Sequence, residues 1–163
     1  IRNKVTLTSC RILLLGAGGA AKGVLLPLLA QDPNSIIIAN RTESKAEQLC
    51  QQFSNNRLSA SSLSELEGKR FDLIINATST SLSGEIPAIS ETLINNTVTC
   101  YDMVYGKEAT PFLKWAKKHG AVNNIDGLGM LVGQAAVSFS IWRGVSPETL
   151  PVIDNLRSSF NND

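Results

Sequence analysis

The chain has 163 residues, of which 43% are hydrophobic and 18% charged, about the size and make-up of one globular domain. That excludes a disordered tail and a disulfide miniprotein. Fifteen Lys and Arg against 14 Asp and Glu leave a net charge of +1, too even a balance for a nucleic-acid or anionic-membrane footprint, so a small molecule is the expected partner.

Taken in chain order, short apolar runs alternate with longer amphipathic stretches. Residues 11–15 read as a buried strand. The window 12–30 has Lys22 as its only charge, but four glycines and Pro27 interrupt it as no membrane span would need. It reads instead as a strand, a glycine turn and a helix over 20–31. A strand at 35–39 precedes a helix at 43–53, and 58–60 fits a short extra strand. The serine-rich stretch 59–64 is too short to be a linker. Strands follow at 72–76 and 97–101. The helix at 111–119 has Pro111 in its first turn and Gly120 just beyond its end. After a weak strand at 122–125 the pattern is wholly helical, over 130–142 and 147–160. Strict alternation of strand and helix implies right-handed crossovers. The expected fold is α/β, a Rossmann-type, doubly wound, mostly parallel sheet of about six strands, with helices on both faces and further helices at the C-terminus.

Cys10, Cys50 and Cys100 lie far apart, and His119 is the sole histidine. No metal site and no disulfide framework can be built from these, so reduced, buried thiols are expected. No basic segment with a cleavage site opens the chain, which points to the cytoplasm. The chain starts at Ile1 rather than at a methionine, and a longer natural polypeptide is expected.

In a doubly wound sheet, ligands bind beyond the carboxyl ends of the strands. Five such ends carry small or polar residues: Gly16-Ala17-Gly18-Gly19-Ala20-Ala21, Asn40-Arg41-Thr42, Asn76-Ala77-Thr78-Ser79, Asp102-Met103-Val104-Tyr105 and Asp126-Gly127-Leu128-Gly129. Gly16, Gly18 and Ala21 fit G-x-G-x-x-A between a strand and a helix, the fingerprint of dinucleotide binding. Gly16 permits the tight turn, Gly18 lets a pyrophosphate approach, and Ala21 lets the helix pack close. The helix N-terminus offers free N–H groups to the anion. An NAD site would place an acid after the second strand. Here Asn40 is followed by Arg41, with Thr42 and, one helical turn on, Lys45. A guanidinium can grip a 2′-phosphate that an acid would repel, so NADP is expected over NAD. The competing reading makes Arg41 and Lys45 an ordinary solvated helix start, although positive charge there is unfavourable without an anion.

Taken together, the elements G-A-G-G-A-A, N-R-T, N-A-T-S, Y-D-M-x-Y and D-G-L-G-M-L-V-x-Q-A make the chain resemble the C-terminal NADP-binding domain of bacterial shikimate dehydrogenases, from about residue 11 to 156. These enzymes reduce 3-dehydroshikimate to shikimate with NADPH in aromatic amino-acid biosynthesis. The resemblance implies that residues 16–21 cradle the pyrophosphate and that Asn40, Arg41, Thr42 and Lys45 hold the 2′-phosphate. Lys45 stands where the family often has arginine. Asn76, Thr78 and Ser79 would line the cofactor groove, with Met103 against the nicotinamide. Gly127 would accept the carboxamide through its carbonyl, and Met130 joins this set. Tyr105 and Gln134 would contact shikimate. Plainer readings make Tyr105 the cap of a surface loop, Met103 core filler, and Gln134 an amide bonded to backbone among Leu131, Val132, Ala135 and Ala136. Trp115 and Trp142 read as packing residues, His119 as a helix end, and Lys114, Lys117 and Lys118 as a solvated face.

Ketone reduction needs a positioned proton donor, and no lysine and carboxylate pair stands at these strand ends. The resemblance assigns that pair to an N-terminal substrate domain of the same protein, so this chain, 1–163, is expected to bind NADP and to be inactive alone. The last helix of the family packs toward that domain, which would leave an apolar patch near Trp142 and Leu156. The alternatives are a related quinate/shikimate-type dehydrogenase, a glutamyl-tRNA reductase-like enzyme, or a non-catalytic NADP-sensing module. The D-G-L-G-M-L-V-x-Q-A run argues against the tRNA reductase, and the missing acid against an NAD-using quinate enzyme. A sensing module would have no need of Tyr105 or Gln134.

Overall fold

The computed structural model describes residues 5–162, with side chains to residue 160. Six strands form one parallel sheet: β1 (Arg11–Leu15), β2 (Ser35–Ala39), β3 (Leu58–Ser61), β4 (Leu73–Asn76), β5 (Thr99–Asp102) and β6 (Asn123–Ile125). Their spatial order is β3-β2-β1-β4-β5-β6. The chain winds outward from β1 to β3, returns to β4 on the other side of β1, and winds outward again. The carboxyl ends of β1 and β4 therefore flank the point where the winding reverses, the place at which open α/β sheets bind ligands.

Five α-helices accompany the sheet: α1 (Gly19–Leu29), α2 (Glu43–Phe53), α3 (Pro111–Lys118), α4 (Leu128–Arg143) and α5 (Leu150–Asn162). The expected fold is thus the observed one, with ends shifted by a few residues. α1 starts at Gly19, and α4 at Leu128, two residues before its expected start. α5 starts at Leu150 rather than at residue 147. Alternation is not strict. Between β3 and β4 lies only a 3₁₀ turn (Ser64–Leu66), and between β4 and β5 only two more, Thr80–Ser83 and Glu91–Leu93. Leu66, Leu93 and Ile94 from these segments are buried in the core that Leu13, Leu15 and Ile74 form with Phe112 and Ala116 of α3, so single apolar side chains do the covering that a crossover helix would do.

The alternation of side chains along each strand explains the two layers. On β1, Leu13 and Leu15 face α3, whereas Ile12 and Leu14 pack with Ala21 and Leu25 of α1 and with Ala46 and Leu49 of α2. β1 is held at both edges, Leu13 lying beside Ile37 of β2 and Ile74 of β4. Trp115 packs as expected, its ring stacked on Phe112 and tilted against His119. Cys100 is fully buried, and burial pushes its thiol up to about 12, which makes it inert at neutral pH. All three cysteines are free, but of the three expected to be buried only Cys100 is; Cys10 and Cys50 are half-buried.

Trp142 departs from the packing role expected of it: it is 79% exposed. Ile141 (76%), Val137, Val145, Leu150 and Val152 are exposed with it, along α4 and into α5. The two helices bury only a small seam of Leu128, Val132 and Ile153, with Leu156 and Phe160 against it. The expected apolar patch is therefore present around Trp142, while Leu156 lies in the seam. Among the described residues no helix is long and apolar enough to cross a membrane.

Candidate functional site

The carboxyl edge of the sheet gathers all five expected segments. At its centre Gly16 has φ +105°, a conformation that favours glycine. A Cβ there would also come within 3.1 Å of the Ala77 carbonyl oxygen and 3.2 Å of the Thr78 methyl, so β1 and β4 close on each other only without a side chain. The Gly16 N–H donates to the Ala39 carbonyl at 2.8 Å and the Ala77 N–H to that of Leu15 at 2.9 Å. These bonds fix the loop to strands on both sides.

Gly18 is the N-cap of α1 and has no side-chain cap, and the first turn of that helix carries no acid. A Cβ on Gly18 or Gly19 would meet nothing within 4 Å. Gly18, Gly19 and Ala20 are exposed, Ala17 is half-buried, and Ala21 is fully buried against the sheet. Uncapped N–H groups, a positive helix end and open space at the glycines fit a pyrophosphate.

At the end of β2 the Asn40 amide donates to the Thr42 carbonyl at 2.9 Å, turning the chain into α2. Thr42 is the N-cap, yet its hydroxyl makes no capping bond. Arg41, Thr42 and Lys45 are exposed, and among the described residues neither Arg41 nor Lys45 has an ion-pair partner. Two unpaired cations and a free hydroxyl thus stand at this helix start, whose first turn also carries Glu43, and positive charge there is unfavourable without an anion between them.

The opposite half of the edge is closely bonded. Asn76, expected to line the groove, is fully buried beneath it. Its side-chain Oδ1 accepts from the Thr78 N–H (3.1 Å) and hydroxyl (2.6 Å), so it shapes the turn that carries Thr78 and Ser79. Its amide donates to Ser81 Oγ and Asp102 Oδ1, both at 3.2 Å. Asp102 is fully buried as well, and accepts further bonds from the hydroxyls of Ser81 and Thr110, each at 2.6 Å, and from the Val104 N–H at 3.1 Å. In the sequence Asp102 stands at a strand end with no role of its own, and nothing there marks Ser81 or Thr110. The one available signal is a lone acid ending a strand that otherwise carries no charge.

Gly127 shows the tightest packing at the site. A Cβ there would stand 2.0 Å from the Met103 carbonyl oxygen, so no other residue fits. Its N–H donates to the Val104 carbonyl at 3.2 Å, and its own carbonyl accepts from Met130 and Leu131, both at 3.0 Å. The lone pairs expected to receive a carboxamide thus serve the start of α4. Met103 and Met130 are half-buried at this corner and Tyr105 is 39% exposed. Gln134 is exposed on α4, which removes the reading of a buried amide bonded to backbone. Arg157 of α5 reaches the Asp126 carboxylate and, at 3.4 Å, the Gly106 carbonyl, joining the two loops that carry Gly127 and Tyr105.

No proton donor stands out here. Arginine keeps its proton at any physiological pH, and the remaining lysine–carboxylate pair near this edge, Lys114–Glu108, is solvent-exposed. Among the described residues no group of His, Cys, Asp and Glu is placed to hold a metal ion.

Comparison with known proteins agrees with this geometry. Residues 1–98 match the family model of shikimate / quinate 5-dehydrogenase, and residues 127–157 that of the shikimate 5'-dehydrogenase C-terminal domain. The chain is 69% identical over 160 residues to a shikimate dehydrogenase (NADP(+)) of Colwellia psychrerythraea, covering 98% of this chain and 58% of that protein. It superposes on the Ael1 enzyme from Pseudomonas putida with a TM-score of 0.91 and 43% identity, covering 95% of this chain and 57% of that one. On a shikimate dehydrogenase crystallised in complex with NADP+ it scores 0.72 with 34% identity, covering 95% and 55%. The chain spans somewhat over half the length of the relatives it matches. With the six-stranded sheet, the glycine loop at its switch point and both family models in agreement, the chain belongs to the shikimate / quinate 5-dehydrogenase family.

Proposed function

We propose that this chain is the NADP-binding domain of a shikimate dehydrogenase, in which NADPH supplies the hydride that reduces 3-dehydroshikimate to shikimate. The observation that carries this reading is the pair of unpaired cations, Arg41 and Lys45, at the end of β2, where an NAD site would place an acid. The 69% identity to a protein named for NADP(+) supports it. In this reading Gly16, Ala17, Gly18, Gly19, Ala20 and Ala21 receive the pyrophosphate on the end of α1. Arg41, Thr42 and Lys45 hold the 2′-phosphate, Asn40 shaping their turn. Thr78 and Ser79 wall the groove over Asn76, and Met103, Gly127 and Met130 form the nicotinamide corner, with Tyr105 and Gln134 turned toward the hydroxylated acid.

The proton donor and its carboxylate partner belong to a substrate domain elsewhere in the same polypeptide. The exposed face at Ile141 and Trp142 suits such a neighbour, because an apolar area of that kind is unfavourable in water. Three free thiols suit a reducing cytoplasm.

Calorimetric titration tests the reading: the chain should bind NADP at least ten-fold tighter than NAD. Equal affinities would overturn it. Supplied with NADP and shikimate, the chain alone should give no absorbance change at 340 nm, and turnover would place the proton donor in this domain.

A further inference from the structure

We infer that Asp102 is a positioning residue: it sets the nicotinamide end of the groove by tying the segments that follow β4 and β5 to one carboxylate. The inference rests on the cofactor reading above and adds a residue to which that reading gives no role.

Asp102 ends β5 in register with Asn76 at the end of β4. It is fully buried and receives four donors: the Asn76 amide, the Ser81 and Thr110 hydroxyls and the Val104 N–H. No cation is among them. A buried carboxylate without a counter-charge is costly, and an apolar residue of similar size would often serve stability as well or better. What the carboxylate provides is a fixed arrangement. All four donors come from the carboxyl edge, and each belongs to a segment bordering the groove.

Two chains of contacts run outward from it. Through Asn76, it reaches Thr78, whose methyl lies 3.2 Å from where a Gly16 Cβ would stand, so one chain ends at the phosphate loop. The bond to the Val104 N–H lies between Met103 and Tyr105. Val104 in turn accepts from Gly127, and the Met103 carbonyl fills the space beside that glycine. The second chain therefore ends at the corner assigned to the nicotinamide. The adenosine end, at Arg41 and Lys45, lies outside both.

This asymmetry gives the test. NADP and 2′,5′-ADP share the adenosine end, and only NADP reaches the corner held by Asp102. In calorimetric titrations of the whole chain, NADP should bind several-fold tighter than 2′,5′-ADP. Asp102→Asn, which keeps the shape but sets an amide against two hydroxyls, should bring that ratio toward one, its loss of NADP affinity exceeding any loss for 2′,5′-ADP, whose 5′-phosphate meets only the loop at the end of the first chain. Should that variant fail to fold, Ser81→Ala and Thr110→Val each remove one bond to Asp102, along with the Asn76 amide's bond to Ser81 or the Leu113 N–H's bond to the Thr110 cap of α3, and should lower the ratio about two- to three-fold, with Thr110→Ser restoring it. General loosening of the domain would weaken both ligands together and leave the ratio in place, and that result would overturn the inference, as would a ratio near one in the unsubstituted chain. Failure of the unsubstituted chain to bind 2′,5′-ADP at all would instead overturn the cofactor reading beneath it.

Discussion

The two halves of the carboxyl edge are built on opposite principles. Around Gly18, Arg41 and Lys45, helix N–H groups are uncapped, two cations lack partners and a Cβ would meet empty space. Around Asp102 and Gly127 a buried carboxylate holds four donors, and a Cβ would stand 2.0 Å from a carbonyl oxygen. One half waits for a ligand to complete its bonds, and the other is complete without one. An anion with fixed charge can be gripped by exposed side chains that order around it. A flat, uncharged ring must instead be met by backbone already in position, because it offers little to organise a loop.

Two glycines separate these principles most sharply. Gly127→Ala should be the most damaging single change to folding. The φ of −76° suits alanine, but the new methyl overlaps backbone that is itself bonded into the edge. A loss of at least about 2 kcal/mol follows, or roughly 5 °C in melting temperature by calorimetry. Gly18→Ala has the same chemistry and no obstacle, so its stability should stay within about 1 kcal/mol of the parent. Its affinity for NADP should fall at least ten-fold, because the methyl takes the space left for the pyrophosphate. Similar melting temperatures for the two variants would erase the distinction between the halves.

A smaller effect sharpens the open half. Arg41→Ala should weaken NADP by about one to two decades, the equivalent of roughly 1.5–3 kcal/mol for a charge-assisted contact, and leave NAD nearly unchanged. Since Arg41 has no partner within the described protein, the melting temperature without cofactor should not move. A variant that loses both cofactors equally would show that Arg41 shapes the loop rather than reads the phosphate.

These two halves were also unequally legible in the sequence. The open half follows from local spacing: G-x-G-x-x-A between a strand and a helix, then cations where an acid is usual. Both are short-range patterns whose meaning does not depend on the rest of the chain. The bonded half depends on which strands become neighbours. Asn76 and Asp102 are 26 residues apart and meet only because β4 pairs with β5 in that register. Ser81 and Thr110 lie in segments whose turn chemistry says nothing of a buried acid. Strict alternation does not hold for a related reason: the 3₁₀ turns between β4 and β5 have no 3.6-residue period, and only the assembled core shows that Leu93 and Ile94 cover the sheet. Trp142 reads as core in the sequence but is exposed, because an apolar residue at helical spacing carries the same pattern whether the surface it packs on lies in this domain or in a neighbour.

The smallest expected effect lies at the far edge of the sheet and serves as the control for both halves. Asp72, just before β4, accepts from Arg11 three times, at the backbone N–H (2.8 Å), Nε (3.1 Å) and Nη2 (2.8 Å). The Arg11 hydrogen bonds hold the Asp72 carboxyl below the usual carboxylate range, against a smaller opposing effect of burial. A carboxyl with a lower pKa in the folded than in the unfolded state contributes stability above its unfolded pKa and loses it as pH falls through the folded one. Asp72→Asn should therefore melt below the parent at pH 7, and the gap should close as the pH is taken down through the lowered pKa. Both side chains are more than a third exposed, so solvent screens the pair and the gap should be no more than a few degrees, shrinking further in salt. The amino edge is remote from the cofactor groove, and NADP affinity at pH 7 should be unaltered. A gap that persisted unchanged at acid pH would mean that the Asp72 charge is not what distinguishes the two proteins, and that the amide disturbs the start of β4 by its shape. A fall in NADP affinity would show that the strands transmit strain from one edge to the other, and the contrast between the halves of the carboxyl edge would then have to be redrawn on the sheet as a whole.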